Sequence, residues 1–173
     1  MERKTLFEGK FKRLISEKGW EYVERVNCGG VVAILAVTDK RELILVEQLR
    51  IPVGCNVIEL PAGLVNDRPG YPEESMMEAA HRELVEETGY QAEKLIPMMN
   101  MPANPALCRE MISVFRAIGL KKVSDGGGDH LESIIPHAVK LDAIDNWLES
   151  MKKAGRLIDP KVYTALYFLR KET

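Results

Sequence analysis

A chain of 173 residues carries 24 Lys and Arg against 26 Asp and Glu, a formal net charge of -2, so nothing in its balance attracts a polyanion and RNA or DNA is a poor partner. With 46% hydrophobic and 29% charged residues, it has the composition of one soluble globular domain with a substantial core. No apolar run is long enough for a membrane span, Met1-Glu2-Arg3-Lys4 leads into no signal-peptide core, and Cys28, Cys55 and Cys108 are too scattered for a disulfide framework or a zinc site. The expectation is a cytoplasmic protein with no membrane or nucleic-acid partner.

In chain order, Val31 to Val37 is a continuous apolar run, and Leu43, Leu45 and Val46 form a second after the Asp39-Lys40 turn. That pattern predicts a buried hairpin, with Arg50 leaving its end. Met77, Ala80 and Leu84 recur at i, i+3 and i+7, which predicts a helix opening near Glu74 or Ser75 and closing at Gly89. Strands are expected from about Met111 to Ile118 and from Ile134 to Val139, with Gly126-Gly127-Gly128 as a flexible hinge before the second. Asp142 is placed to cap a helix through Trp147, Met151 and Lys153, ended by Gly155. Asp159-Pro160 opens a last helix carrying Val162, Leu166 and Leu169. Together these elements predict one α/β or α+β domain over residues 1–173.

The helix before Gly89 carries the sharpest signal, Arg82-Glu83-Leu84-Val85-Glu86-Glu87-Thr88-Gly89-Tyr90. Glu83, Glu86 and Glu87 fall within an arc of about 100° and can aim at one point beside the helix. On a bare helix like charges at this spacing repel by a few tenths of a kcal/mol. A divalent cation reverses the sign, and oxygen-only ligands suit a hard ion such as Mg²⁺ or Mn²⁺. Arg82, four residues before Glu86, can orient that carboxylate and offset part of the charge. The bland alternative is a solvated acidic helix stitched by i,i+4 pairs.

Glu74, seven further residues and then Arg82-Glu83-Leu84-x-Glu86-Glu87-x-Gly89-Tyr90 resemble the Nudix box of the Nudix hydrolases. Gly63 stands for the box's opening glycine, although ten residues separate it from Glu74 where the family has five. The extra stretch, Arg68-Pro69-Gly70-Tyr71-Pro72, has the composition of a loop. Glu47-Gln48-Leu49-Arg50 and Glu59-Leu60-Pro61-Ala62-Gly63 are similar to segments of the branch that cleaves ADP-ribose and nucleoside diphosphate sugars. Gly9-Lys10-Phe11 and Gly19 to Arg25 are similar to that branch's N-terminal strands.

The resemblance implies a Nudix α/β/α sandwich with a mixed sheet. It adds an N-terminal antiparallel strand extension over about 1–30, which exchanges between the subunits of a homodimer. Its metal ligands would be Glu83, Glu86, Glu87, the carbonyl of Ala62, and Glu132 from the loop Asp129-His130-Leu131-Glu132, with Arg82 supporting them. Glu132 or His130 would act as base, His130 standing where the family has an acid; an exposed loop histidine is the plain alternative. Phe11 and Trp20 would sandwich the nucleobase, unless they are core aromatics. Arg50, as a planar fork, suits the diphosphate, and Arg25 the base or a phosphate. Glu110 alone matches the segment that meets the distal sugar, which leaves ADP-ribose, ADP-glucose and GDP-mannose open. The implied reaction is metal-dependent hydrolysis to a nucleoside monophosphate and a sugar phosphate. Alternatives are a non-catalytic nucleotide-binding regulator on the same scaffold, which the intact acids disfavour, and a Nudix enzyme acting on nucleoside triphosphates.

Overall fold

Three short strands open the chain in the computed structural model, which describes residues 2–66, 73–128 and 133–172. β1 (Lys4–Glu8), β2 (Lys12–Glu17) and β3 (Trp20–Arg25) form an antiparallel sheet in the order β1-β2-β3. Lys18 and Gly19, at φ 50° and 86°, make the two-residue turn between β2 and β3, the geometry whose twist matches a hairpin. The register it sets puts Arg13 opposite Glu24. Val23 ties this sheet to the rest of the chain, donating to Leu107 O at 2.9 Å and accepting from Arg109 N at 3.1 Å.

Two four-stranded mixed sheets follow. The first comprises β4 (Gly30–Ala36), β7 (Ala62–Val65), β8 (Tyr90–Pro102) and β9 (Met111–Lys122), in the order β7-β4-β9-β8. The second comprises β5 (Glu42–Arg50), β6 (Cys55–Glu59), β10 (Ile134–Lys140) and β11 (Leu157–Ile158), in the order β10-β5-β6-β11. β4 runs parallel to β9 and β11 to β6; the other ladders are antiparallel. Three α-helices among the described residues complete the α/β fold: α1 (Met76–Thr88), α2 (Ile144–Lys153) and α3 (Pro160–Lys171). Strand alternation divides the interior: Val32, Ile34 and Ala36 pack with Ala79, Ala80 and Leu84 of α1, whereas Leu35 packs with Leu148, Val162 and Leu166 of α2 and α3.

The two apolar runs are both strands, but they are not a paired hairpin. A single bridge, Val37 to Leu43, joins them, after which β4 pairs with β7 and β9 while β5 pairs with β6 and β10. Residues 32–36 and 43–46 are buried throughout. A strand apolar on both faces takes a central place with two neighbours, which is why each run heads its own sheet.

Local signals at helix ends are read correctly in most places. Ser75 caps α1, accepting from Glu78 N at 3.2 Å while Glu78 Oε2 accepts from Ser75 N at 2.8 Å, and Gly89 ends the helix at φ 72°. Asp159 caps α3 by accepting from Lys161 N at 2.7 Å. Two details differ. Met77 is 42% exposed, because the buried stripe of α1 follows Met76, Ala80 and Leu84 at i, i+4 and i+8. Asp142 does not cap α2; it lies in the turn closed by Ala143 N on Lys140 O at 3.0 Å, and the helix starts after Ala143. No described helix is long and apolar enough to cross a membrane.

Glu47 holds the second sheet together. It is 3% exposed and accepts from Asn56 Nδ2 at 2.7 Å, Arg156 Nε at 3.0 Å and His137 Nε2 at 3.1 Å. Burial pushes its carboxyl up, but the hydrogen bonds from Asn56, Arg156 and His137 outweigh this and hold it below the ordinary range. A folded-state pKa below the unfolded one gives stability that is fully present above the unfolded value, about 4.3, and lost as pH falls through the folded one. Urea titrations at about pH 7 and about pH 3 are therefore expected to show a smaller loss of stability on acidification in Glu47→Gln than in the parent chain. Equal losses would remove Glu47 as an acid-sensitive tie.

Candidate active site

Glu86 and Glu87 lie in the last turn of α1, where the helix dipole is negative and the turn itself holds no basic residue. Compensation comes from Arg82 one turn earlier and from elsewhere in the chain. Lys122 Nζ donates to Thr88 O at 2.8 Å, Gly127 N to Glu87 O at 2.9 Å and Gly128 N to Glu86 O at 3.0 Å. The glycine triplet expected as a free hinge is thus a strap docked on the helix end. Gly126, at φ 72°, lies so close that a Cβ would meet Thr88 C at 2.5 Å and Gly89 N at 2.6 Å. Ile134 N returns to Gly127 O at 3.1 Å, so the chain leaves and rejoins this strap at one place. His130 and Glu132, between those points, lie outside the described residues, as does the inserted stretch 68–72.

Arg82 points inward and orders the acids. Its Nε donates to Glu74 Oε1 at 2.7 Å, Nη2 to Glu74 Oε2 at 3.0 Å and to Leu64 O at 2.9 Å, and Nη1 to Glu83 Oε1 at 2.6 Å and Glu86 Oε2 at 3.2 Å. The hydrogen bond to Glu74 and the neighbouring Glu83 charge raise its pKa far above the ordinary value, against the pull of burial, so it is a permanent cation. One guanidinium therefore joins the first box glutamate, two of the helix acids and the β7 backbone. The solvated-helix alternative fails here, since Glu83 and Glu87 are only 7% and 4% exposed.

Gly63 lies directly against Glu83, despite the longer spacing to Glu74. A Cβ there would lie 2.5 Å from Glu83 Cγ and closer still to its carboxylate. Glu87 Oε2 accepts from Ala62 N at 2.9 Å. Ala62, Glu83 and Glu87 are thereby gathered against one short strand, with Glu86 nearer the surface at 28% side-chain exposure. Among the described residues no three Asp, Glu, His or Cys side chains converge as a ready-made ligand set. The donor chemistry, carboxylate oxygens from three neighbouring positions of one helix, nonetheless fits a hard divalent cation.

The expected substrate residues divide into three places. Arg25 and Glu110, 85 residues apart, form an ion pair on the wall of a cavity of about 660 Å³, a size in the range of small-molecule sites. Its floor includes Gly30 and Val31, which pair with Val65 and Leu64. About 7 Å further along the same ladder, Val32 pairs with Gly63 beside Glu83. Arg50 sits elsewhere, donating from Nε to Glu59 Oε2 at 2.8 Å, and is thus tied to the segment leading into Ala62 and Gly63. Phe11 and Trp20 are 66% and 63% exposed. They are not core aromatics, because each lies at a turn of the first sheet, and neither lines the Arg25 cavity.

Sequence reasoning missed Arg3, Arg13, Glu24 and Arg109, which also line this cavity. Only the Arg13 to Glu24 pairing had a sequence signal, the Lys18-Gly19 hairpin turn; Arg3 and Arg109 arrive by tertiary contact.

The NUDIX domain model matches residues 29–154. The chain is similar to a methanol dehydrogenase activator of Bacillus methanolicus, 30% identical over 147 residues that cover 85% of this chain and 75% of that protein. It is similar to an ADP-ribose pyrophosphatase of Bacillus subtilis, 40% identical over 96 residues that cover 54% of this chain and 48% of that enzyme. Its fold resembles a crystal structure of an ADP compounds hydrolase, with a TM-score of 0.71 and 23% identity, covering 99% of this chain and 91% of that one.

Proposed function

The chain belongs to the Nudix hydrolase family, as a Nudix pyrophosphatase, and from that premise we propose that it hydrolyses the diphosphate bond of ADP-ribose or a related nucleoside diphosphate sugar to a nucleoside monophosphate and a sugar phosphate. The observation that carries this reading is the Arg82 hub, which presents Glu83 and Glu86 beside Glu87 and the Ala62-Gly63 strand. Glu83, Glu86, Glu87 and the Ala62 carbonyl, joined by Glu132, would hold the divalent cation, with Mg²⁺ or Mn²⁺ favoured by their oxygen donors. When bound, such an ion neutralises charge on the diphosphate and acidifies a water at neutral pH.

The chain's own residues do the rest. Arg82 does not touch substrate; it is a positioning residue that fixes two carboxylates and supplies one positive charge to a helix end that otherwise repels them. Arg50 offers a planar fork to the diphosphate, and Glu59 orients it. Arg25 and Glu110 contact the nucleotide or the sugar from the cavity wall. Glu132, or His130 in its place, takes a proton from the attacking water.

Phe11 and Trp20 stack on the base, and the exposure of Leu6, Phe7, Phe11 and Trp20 along the first sheet supports a homodimer that exchanges these strands. Trp20→Ala is expected to raise KM for the preferred nucleotide sugar about tenfold or more with kcat little changed, since stacking contributes about 1–3 kcal/mol per base. A variant with unchanged KM would remove Trp20 from the base site.

The test of the activity is phosphate release coupled to alkaline phosphatase, with ADP-ribose, ADP-glucose, GDP-mannose, UDP-glucose and nucleoside triphosphates, with and without Mg²⁺. Metal-dependent turnover of nucleotide sugars is expected, and preference for triphosphates would overturn the branch. The likeness to a methanol dehydrogenase activator supports a second reading, in which nucleotide binding on this scaffold regulates a partner enzyme. Silence on every substrate would favour it.

A further inference from the structure

Glu24 sits in a cage of arginines. Arg3 Nη2 donates to Glu24 Oε2 at 2.6 Å, Arg13 Nε to the same oxygen at 2.9 Å, and Arg109 Nη1 to Oε1 at 3.3 Å. The carboxylate is 9% exposed, whereas the Arg3, Arg13 and Arg109 side chains are 42%, 35% and 70% exposed. A structural clasp explains part of this, since the three join the N-terminus, β2 and the β8–β9 connection to β3. It does not explain the excess. Four arginines, Arg25 included, face two glutamates in this cavity. Each guanidinium has five N–H donors in a rigid fork, and one from each of the three is directed at Glu24. Arg3 also hydrogen-bonds Tyr22, and Arg13 Nη1 comes within 3.7 Å of Glu8 Oε2, yet all three side chains stay partly exposed on a cavity lined by Gly30 and Val31 of β4, the strand that two residues on pairs with Gly63.

We propose that Arg3, Arg13 and Arg109 form a second anion subsite, which takes a phosphomonoester carried on the nucleotide sugar in addition to its diphosphate. The inference rests on the reading of the neighbouring acids as the diphosphate site, and it narrows the substrate class to nucleoside diphosphate sugars bearing an extra phosphate. Guanidinium forks suit this group because they meet two phosphate oxygens at once. Glu24 fixes the three forks in place before the ligand arrives, so little side-chain freedom is lost on binding. The phosphate can stand on the ribose of the nucleoside or on the distal sugar.

The test is calorimetric titration of the full chain without added metal, so that binding is read apart from turnover. The probes are ADP-ribose, ADP-ribose phosphorylated at the adenosine 2′ hydroxyl, and ADP-ribose phosphorylated at the anomeric hydroxyl of the distal ribose. One phosphorylated probe is expected to bind about tenfold or more tighter than ADP-ribose at low salt, and which one tells where the phosphate stands. The advantage should shrink as ionic strength rises, because the forks are partly exposed. It should fall toward unity in Arg3→Met/Arg109→Met, both changes lying on exposed side chains. Two phosphorylated probes no tighter than ADP-ribose, or an advantage that survives in the double variant, would overturn the subsite. Hydrolysis assays on the same samples keep the two readings apart. Tight binding of a phosphorylated probe without turnover of any nucleotide sugar would support the subsite and sink the activity.

Discussion

Glu87→Gln is expected to lower nucleotide-sugar turnover by about two to four orders of magnitude while leaving the chain folded, each tenfold corresponding to about 1.4 kcal/mol of transition-state stabilisation. The two effects separate for a structural reason. Glu87 accepts a hydrogen bond from Ala62 N at 2.9 Å, and the amide oxygen of glutamine can accept the same bond, so the tie between α1 and β7 survives. What the substitution removes is one negative charge in the last turn of a helix that also carries Glu83 and Glu86. For the fold this is neutral or slightly favourable, because the charge stands at the negative end of the helix dipole. For a cation site it removes a ligand. A thermal midpoint within a few degrees of the parent chain, together with collapsed turnover, is the expected pair of results. Normal turnover would refute the role of Glu87, and joint loss of fold and activity would leave the solvated-acid explanation dead but assign Glu87 to stability.

The box helix was legible because its signals are local. Ser75, Glu78 and Gly89 act within a turn of where they stand, and Asp159 does the same for α3. Pairing between distant strands is different in kind. The runs at 31–37 and 43–46 announce burial, but which sheet each joins depends on β9 and β10, which lie far later in the chain. The glycine triplet illustrates a second limit. Composition reports freedom of the unfolded backbone, whereas the structure uses the N–H groups of Gly127 and Gly128 to satisfy carbonyls at the end of α1. Arg3 and Arg109 show a third: long charged side chains are common on any surface, and only the fold reveals that they meet on Glu24.

Gly63→Ala is expected to be nearly as damaging to turnover as Glu83→Gln, although the substitution adds one methyl group and removes no polar atom. Gly63 is not among the residues at positive φ, so alanine fits the backbone. The added Cβ would lie 2.5 Å from Glu83 Cγ and closer to the carboxylate, so one of the two must move. β7 is held to β4 by its ladder and to Glu87 through Ala62, while Glu83 is a flexible side chain. The side chain therefore yields, and the loss of stability stays within about 1–3 kcal/mol, the usual cost of overpacking. Displacement also pulls Glu83 away from Arg82, which loses one of the partners that fix it between the acids. If both substitutions act by removing the same carboxylate from the same place, their effects on kcat will not add. The double variant Gly63→Ala/Glu83→Gln should then be no slower than the worse single one. Multiplied losses would show that Gly63 serves the backbone instead, and that its close approach to Glu83 is not what positions that carboxylate.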